Sequence, residues 1–256
     1  MKIEHISVSR KLYYDQCQAA YKFKYHLCLP RDEGIEEPFY FIYGKIVHKI
    51  AEIYVKEKGK VSLKEISRDV LDGKISLGHE EKAPHLPREY SARLPKHIRA
   101  LQRFCKKTGF DGLTEFEFNY DLDPPNYCFI KGFIDRVIIK NDKYFVIDYK
   151  TTKEGRFRKN KFTILSDLQL RIYAAVIKRT FPNVKASDIT VALYYLDGPE
   201  LIAAKFTDNA LKQAETELLE TYKRIIGQSP DDIIPNVGEH CKRCDYRYSC
   251  PFLRNT

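Results

Sequence analysis

Apolar and polar positions along this 256-residue chain follow two periods, and the period changes near residue 112. Before that point the spacing is helical. The stretch "SRKLYYDQCQAAYKFKYHL", Ser9 to Leu27, predicts one helix with Ser9 as N-cap and Cys17 in its middle. After an acidic loop with Pro38, "FYFIYGKIVHKIAEIYVKEKG" sets Phe41, Ile42, Ile46, Val47, Ile50, Tyr54 and Val55 on an apolar face, and Gly59 stops it. His48 and Glu52, four apart, share a side of this helix. Residues 62–109 continue the helical pattern with a break at "GHEEKAPHLP", where glycine and two prolines interrupt it, and no chemistry is assigned to them.

From residue 112 the period is two. "LTEFEFNYDL", "YCFIKGFIDRVIIK" and "KYFVIDYKT" predict three strands, with Asn141-Asp142 as the hairpin turn between the last two. A basic loop, "KEGRFRKNK", leads to the helix "SDLQLRIYAAVIKRTF", the strands "ITVALYYL" and "LIAAKF", and a last helix, "NALKQAETELLETYKRII". The order β-β-β-α-β with helices outside predicts an α/β fold built on a mixed sheet flanked by helices.

Charge and composition narrow the class. Lys and Arg number 44 against 35 Asp and Glu, a net charge of +9 that suits a polyanionic partner such as nucleic acid. No apolar run is long enough to span a membrane, and the start "MKIEHISVSRK" lacks the apolar stretch of a secretion signal, so the expectation is a cytoplasmic protein with no membrane partner, an infected host cell included. There are seven cysteines, an odd count, and an intracellular chain keeps its thiols reduced unless a metal takes them.

The sharpest chemistry lies in "GFIDRV" and, one hairpin later, "FVIDYKTT". Asp148 and Lys150, two apart on a strand, emerge from one face, and Asp135 can pair beside them. Two carboxylates on neighbouring strands make a hard oxygen site for Mg²⁺ or Mn²⁺, to which the Tyr149 carbonyl adds a ligand. Such an ion polarises a phosphoryl oxygen and lowers the pKa of bound water, while Lys150 holds or deprotonates that water and offsets charge on the phosphate. Alone, an Asp-x-Lys pair is equally what a solvated strand with a surface ion pair shows.

In combination, "GKIVHKI", "GFIDRV", "VIDYKTT" and "DLQLRIY", in this order, resemble the RecB-like branch of the PD-(D/E)XK nuclease superfamily, which includes the nuclease domains of RecB and AddB and a CRISPR-associated exonuclease. The resemblance runs from about Ser7 to Pro251 and implies a restriction-endonuclease-like fold. It implies His48, Asp135 and Asp148 as metal ligands, Lys150 as the catalytic lysine, and Gln169 and Tyr173 as a Q-x3-Y motif bordering the active site and the DNA path. By spacing alone, Gln169 and Tyr173 share a helix face, and they read as a solvated residue and a core aromatic. Glu52 reads as a partner of His48 or as an exposed carboxylate.

Near the end stands "HCKRCDYRYSCPF", three cysteines spaced C-x2-C-x5-C, one short of the four that zinc or an iron-sulfur cluster takes. The iron-sulfur subset of the resembled family takes its fourth from the N-terminal helix, which implies a 4Fe-4S cluster on Cys17, Cys241, Cys244 and Cys250, joining the two ends of a single domain that carries a helical insertion around 60–110. Four thiolates also suit zinc, and Cys28 and His240 are the nearest substitutes for Cys17. Gln18 departs from the proline that commonly follows the first cysteine of the family. Cys105 and Cys128 read as core thiols.

The loop after Lys150 carries Lys153, Arg156, Arg158, Lys159 and Lys161 against one acid, Glu154, with Phe157 among them. These cations suit phosphates and Phe157 suits a stacked base, although a solvated turn has the same composition. The resemblance implies a metal-dependent deoxyribonuclease, an exonuclease on single strands or free ends, acting in recombination, repair, phage replication or CRISPR adaptation beside the proteins of those pathways. Two other readings stay open: a non-catalytic iron-sulfur DNA-binding accessory protein, and a zinc-stapled RNA-binding module. No G-x4-G-K-[ST] phosphate loop is present in the sequence.

Overall fold

The computed structural model describes residues 3–78, 81–153, 155 and 158–253. The chain divides into two compact units, residues 37–117 with 133–211, and residues 1–36 with 118–132 and 212–256.

The first unit holds the helices α3 (Phe39–Lys56), α4 (Leu63–Leu71) and α5 (Arg88–Thr108), whose numbering follows α1 and α2 below. Their apolar stripes interlock in one core with Ile138, Ile147, Tyr149, Ala192, Tyr194 and Leu196. Those sheet residues belong to β2 (Phe129–Lys140), β3 (Lys143–Lys150) and the segment of β4 (Ile189–Tyr195). With β1 (Leu113–Asp121) and β5 (Glu200–Ala204) they form a five-stranded sheet in the order β1-β2-β3-β4-β5. β2 and β3 are antiparallel, β3 and β4 parallel, and β4 and β5 antiparallel. This is the mixed α/β sheet that the order of elements predicts. Between β3 and β4 the chain passes through α6 (Leu168–Thr180), as a parallel connection requires. Asp167 caps α6 by accepting the Leu170 amide at 3.0 Å.

The hairpin turn at Asn141-Asp142 has φ of 49° and 56°, the doubly left-handed geometry of a tight hairpin. From there the β2–β3 pairing runs from Lys140↔Lys143 to Arg136↔Ile147. Ile147 and Tyr149 therefore face the helical core, and Asp148 and Lys150 face away from it, as alternation along a strand demands.

The second unit gathers three separate stretches. Here α1 is Val8–Gln16, capped by Ser7 rather than Ser9, with the Ser7 hydroxyl accepting from the Arg10 amide at 3.2 Å. The single helix expected over Ser9–Leu27 is broken. Cys17 is extended, at φ −163° and ψ 113°, between α1 and the four-residue α2 (Gln18–Tyr21), and a π-helical turn covers Lys22–His26. No glycine or proline marks this break in the sequence. The same unit contains a parallel bridge of Ile6 to Ile130 and most of α7 (Asp208–Gly227). Buried Lys11 pairs with Glu217 at 3.0 Å, and Tyr14 donates to Gln228 at 2.8 Å, tying α1 to the C-terminal stretch. Among the described residues, no helix is long and apolar enough to cross a membrane.

Candidate metal centre and active site

Just beyond Arg136↔Ile147 the hairpin strands stop exchanging backbone hydrogen bonds. The Tyr149 amide there donates to the Asp135 carboxylate at 2.6 Å. His48 comes in from α3. Its Nδ1 lies 3.3 Å from Asp135 Oδ1 and its Nε2 2.9 Å from the Tyr149 carbonyl oxygen. The backbone of one residue, Tyr149, thus contacts both side chains, Asp135 through its N–H and His48 through its carbonyl.

A third group joins them from β1. His48, Glu115 and Asp135 each offer a ligand atom, all within 4.8 Å of one another. Glu115 has φ of +46°, a left-handed backbone in a non-glycine strand residue, the kind of local strain that re-aims a side chain. Next to it, the Thr114 hydroxyl donates to the Asp135 carbonyl at 3.0 Å. Glu115 was not singled out in the sequence. Its only signal is a carboxylate on the strand preceding the Asp135 strand, and the backbone twist that aims it has no residue signature.

Asp148, 2% exposed, sits beside the cluster with Lys150 Nζ 2.7 Å from its Oδ2. That oxygen has no aligned hydrogen-bond donor, so the pair is held by charge. The electrostatics are those of several acids crowded into a dry corner. Burial pushes Asp148 up to about 6, Asp135 adding to the effect and Lys150 opposing it. Burial likewise lifts Glu115 to about 7, again with help from Asp135 and against His48. For His48 burial acts downward, but Asp135 by charge and hydrogen bond, then Asp148, raise it to about 9. Asp135 stays below the usual carboxylate range: burial opposes this, and His48, the Tyr149 amide and Lys150 outweigh it. Burial also works against the Lys150 ammonium, which Asp148 and Asp135 stabilise above its ordinary value.

A concentration of negative charge answered only partly by His48 and Lys150 is a site for a divalent cation. The Asp135 and Glu115 carboxylates and the Tyr149 carbonyl are hard oxygen donors of the kind Mg²⁺ or Mn²⁺ takes, and one nitrogen of the His48 imidazole adds a borderline donor in exchange for its present hydrogen bond or ion pair.

On α6, the Gln169 side-chain amide donates to Tyr173 Oη at 2.8 Å. Tyr173 is buried, and burial, then Asp148 and Asp135, push its phenol well above the ordinary value, so this pair faces the acids. Glu52 does not partner His48; it binds Lys49 at 2.7 Å and Lys56 at 2.5 Å.

Residues 5–251 match the family model of the PD-(D/E)XK nuclease superfamily. The chain belongs to that superfamily. It is 27% identical over 149 residues to the Gene 69 protein of Mycobacterium phage D29, covering 56% of this chain and 50% of that protein. With the Gene 69 protein of Mycobacterium phage L5 the identity is 28% over 145 residues, covering 55% and 44%. The chain thus spans about half the length of these curated relatives. A crystal structure of a candidate exonuclease from Eubacterium rectale shares the fold at a TM-score of 0.53 and 15% identity, over 99% of this chain and 88% of that one. Membership places this chain in a superfamily of nucleases, and the cluster of His48, Glu115 and Asp135 is where a divalent ion fits its described residues.

The other expected site residues are placed less uniformly. Of the loop after β3, Arg156 and Phe157 lie outside the described residues. Arg158 is engaged within the protein in this structure. Its guanidinium is 8% exposed, donates to the carbonyls of Thr152 at 3.1 Å and Gly198 at 3.2 Å, approaches Glu200 at 3.6 Å and lies over the Tyr195 ring. The reason is that a loop closing over the end of β4 needs a donor for its free carbonyls, and arginine supplies several. Lys159 pairs with Asp167 at 2.8 Å, and exposed Lys161 lies over the Phe162 ring.

Cys17, Cys241, Cys244 and Cys250 are free and partly buried in the same unit. Burial raises the Cys244 thiol, the Tyr246 amide opposes this, and Cys17, Cys250 and Cys241 add to the rise, so each of the three lies within electrostatic reach of Cys244. Among the described residues, no three of them bring their sulfurs within 4.8 Å of one another. The C-terminal loop is held by Asp32, which accepts from the amides of Tyr248 at 2.7 Å and Ser249 at 3.0 Å, and by Tyr246, which donates to the Leu29 carbonyl at 3.2 Å. Cys28 is exposed, His240 bonds the Asn236 carbonyl, and Cys105 and Cys128 are core thiols.

Proposed function

We propose that this chain is a deoxyribonuclease that hydrolyses phosphodiester bonds at single strands or free ends, using Mg²⁺ or Mn²⁺ held by His48, Glu115, Asp135, Asp148 and the Tyr149 carbonyl. The observation that carries the reading is the junction at the end of the β2–β3 ladder, where Asp135, Asp148 and Lys150 converge with His48 and Glu115 in a buried acidic corner. When bound, the ion supplies a polarised phosphoryl oxygen and a water of lowered pKa. Lys150 supplies a fixed ammonium and a hydrogen-bond donor for the attacking water or the phosphate. Tyr149 orients His48 and Asp135 through its backbone. Gln169 and Tyr173 border the acids and position the strand.

A 4Fe-4S cluster on Cys17, Cys241, Cys244 and Cys250 belongs to the same proposal. What supports it is the donor chemistry, the shared field of the four thiols, and a Cys17 that the helix break frees from an α-helical backbone. The same proposal gives the chain a role in DNA processing, in phage replication, recombination or repair, or in CRISPR adaptation, and what supports it is membership of a nuclease superfamily.

The test is cleavage of end-labelled linear and of circular single-stranded DNA with Mg²⁺ or Mn²⁺, by anaerobically purified protein beside Lys150→Ala. Metal-dependent loss of linear DNA by the parent alone is the expected result. Cutting of circles adds endonuclease action, and a folded, metal-supplied parent that cuts neither overturns the reading.

A further inference from the structure

α5 is a 21-residue helix with one strongly committed face and one uncommitted face. Leu94, His97, Ala100, Leu101, Phe104 and Cys105 are buried. On the opposite side Arg88, Lys96, Arg99, Arg103, Lys106 and Lys107 are all exposed. At about 100° per residue these six fall within an arc of about 100°. From Lys96 to Lys106 the stripe rises about 15 Å along the helix axis. The ion pairs made by this helix are those of Glu89 with Lys153, and of Arg93 and His97 with Asp197. Among the described residues, none of the six cations has an acidic partner. Of the other exposed lysines of this unit, Lys45, Lys56, Lys74 and Lys143 are paired with carboxylates, while Lys58, Lys60, Lys64 and Lys82 have no described acidic partner and lie outside α5.

The N-terminal end of the stripe lies against the catalytic strand. The Arg93 guanidinium donates to the Thr151 carbonyl at 2.6 Å, one residue past Lys150, and Glu89 pairs with Lys153 in the loop that follows. Past Arg88 the stripe resumes at Lys96 and runs to Lys107 as a row of charge that no described acid neutralises. No exposed large apolar or aromatic side chain lies on α5. Single-strand binding surfaces add aromatic platforms for unstacked bases, whereas duplex DNA is held by cations on its phosphates.

We propose that the solvent face of α5 is a second DNA-binding surface, which grips the sugar–phosphate backbone of duplex DNA flanking the end being cut. It lies outside the metal centre, and it rests on the nuclease reading only for the identity of the polyanion.

The experiment measures binding of a blunt 30-base-pair duplex and of one of its single strands to the full-length protein, without divalent metal, over a range of salt concentrations. Three proteins are compared: the parent, the variant Lys96→Gln/Arg99→Gln/Arg103→Gln/Lys106→Gln, and a control that loses the same charge at exposed positions elsewhere in the unit, Lys58→Gln/Lys60→Gln/Lys64→Gln/Lys82→Gln. Each phosphate contact contributes about 0.9 to the slope of log affinity against log salt on a duplex. The α5 variant is expected to flatten the duplex slope by about 3 to 4 and to weaken binding more than tenfold, with the control near the parent. A charge-retaining variant, Lys96→Arg/Arg99→Lys/Arg103→Lys/Lys106→Arg, keeps the parent slope. A duplex slope equal in the α5 variant and the control overturns the proposal, as does a loss confined to the single strand. Because binding is read without metal, it decides this proposal whether or not the chain cuts DNA, and cleavage by the parent decides the nuclease reading separately.

Discussion

His97 offers a test of the core that does not depend on the metal centre. It is fully buried in α5, with Nδ1 2.9 Å from the Tyr43 hydroxyl and Nε2 3.8 Å from Asp197. Around it stand Arg93, Lys96 and Asp197 as the charged neighbours, and burial, then Arg93, push the imidazole down to about 4, Asp197 opposing. The folded protein thus keeps His97 neutral at a pH where the unfolded chain, with a pKa near 6.5, has taken up a proton. Between those two values the unfolded state binds more protons, so stability falls as pH falls. From pH 8 to pH 5 the loss from this one group works out at about 2 kcal/mol, approaching about 3 kcal/mol well below pH 4. Urea unfolding at pH 8, 7, 6 and 5 measures it, with His97→Gln as the reference, because glutamine keeps a polar partner for Tyr43 and does not titrate. The parent should lose about 2 kcal/mol more than the variant across that range. Equal pH dependence in the two proteins would refute the argument.

Glu115→Gln should weaken Mn²⁺ binding at least tenfold, measured by calorimetry, with an unchanged circular dichroism spectrum; parent-like affinity removes Glu115 from the ligand set. Lys150→Met should lower kcat by about a hundredfold or more while metal still binds, since it removes a donor aimed at developing charge; loss of metal binding instead would make Lys150 a structural residue. Asp32→Ala should loosen the C-terminal loop, which rests on two amide hydrogen bonds to that carboxylate, and so speed the loss of visible absorbance in air; a bleaching rate equal to the parent's speaks against it. Gly112→Ala places a methyl group 2.0 Å from the Val137 carbonyl oxygen at a φ of +108°, and should lower the melting temperature by several degrees.

What the sequence disclosed and what it hid divide along a physical line. The β2–β3 hairpin was legible because a period of two and an Asn-Asp turn are both local, and alternation then puts Asp148 and Lys150 on one face without knowledge of the rest of the molecule. The ladder's end at Arg136↔Ile147, which makes room for His48, depends on packing against α3 and left no local trace. Glu115 was missed for a related reason, since its direction follows from a left-handed backbone that glutamate does not favour. The internal contacts of Arg158 were not legible because Tyr195, Gly198 and Glu200 arrive from some forty residues away. The helix break at Cys17 lacks any residue that disfavours helix, so tertiary packing imposes it. The α5 stripe, by contrast, was open to view in the spacing of Lys96, Arg99, Arg103 and Lys106; what the sequence lacked was the knowledge that none of the described acids comes to meet them.

The three-part make-up of the cysteine-bearing unit sets an order of events during synthesis. His48, Glu115, Asp135, Asp148 and Lys150 all lie in the unit closed by residue 211, so the metal centre can form while the remainder is still on the ribosome. The other unit cannot, because the links of Tyr14 to Gln228 and of Asp32 to Tyr248 join residues 214 and 216 positions apart. Until residues 228 to 248 emerge, Tyr14 and Asp32 wait without their partners. Closure of this unit therefore follows that of the unit holding the acids, and a chain truncated near its end should keep the acids in place while losing the unit that the cysteines belong to.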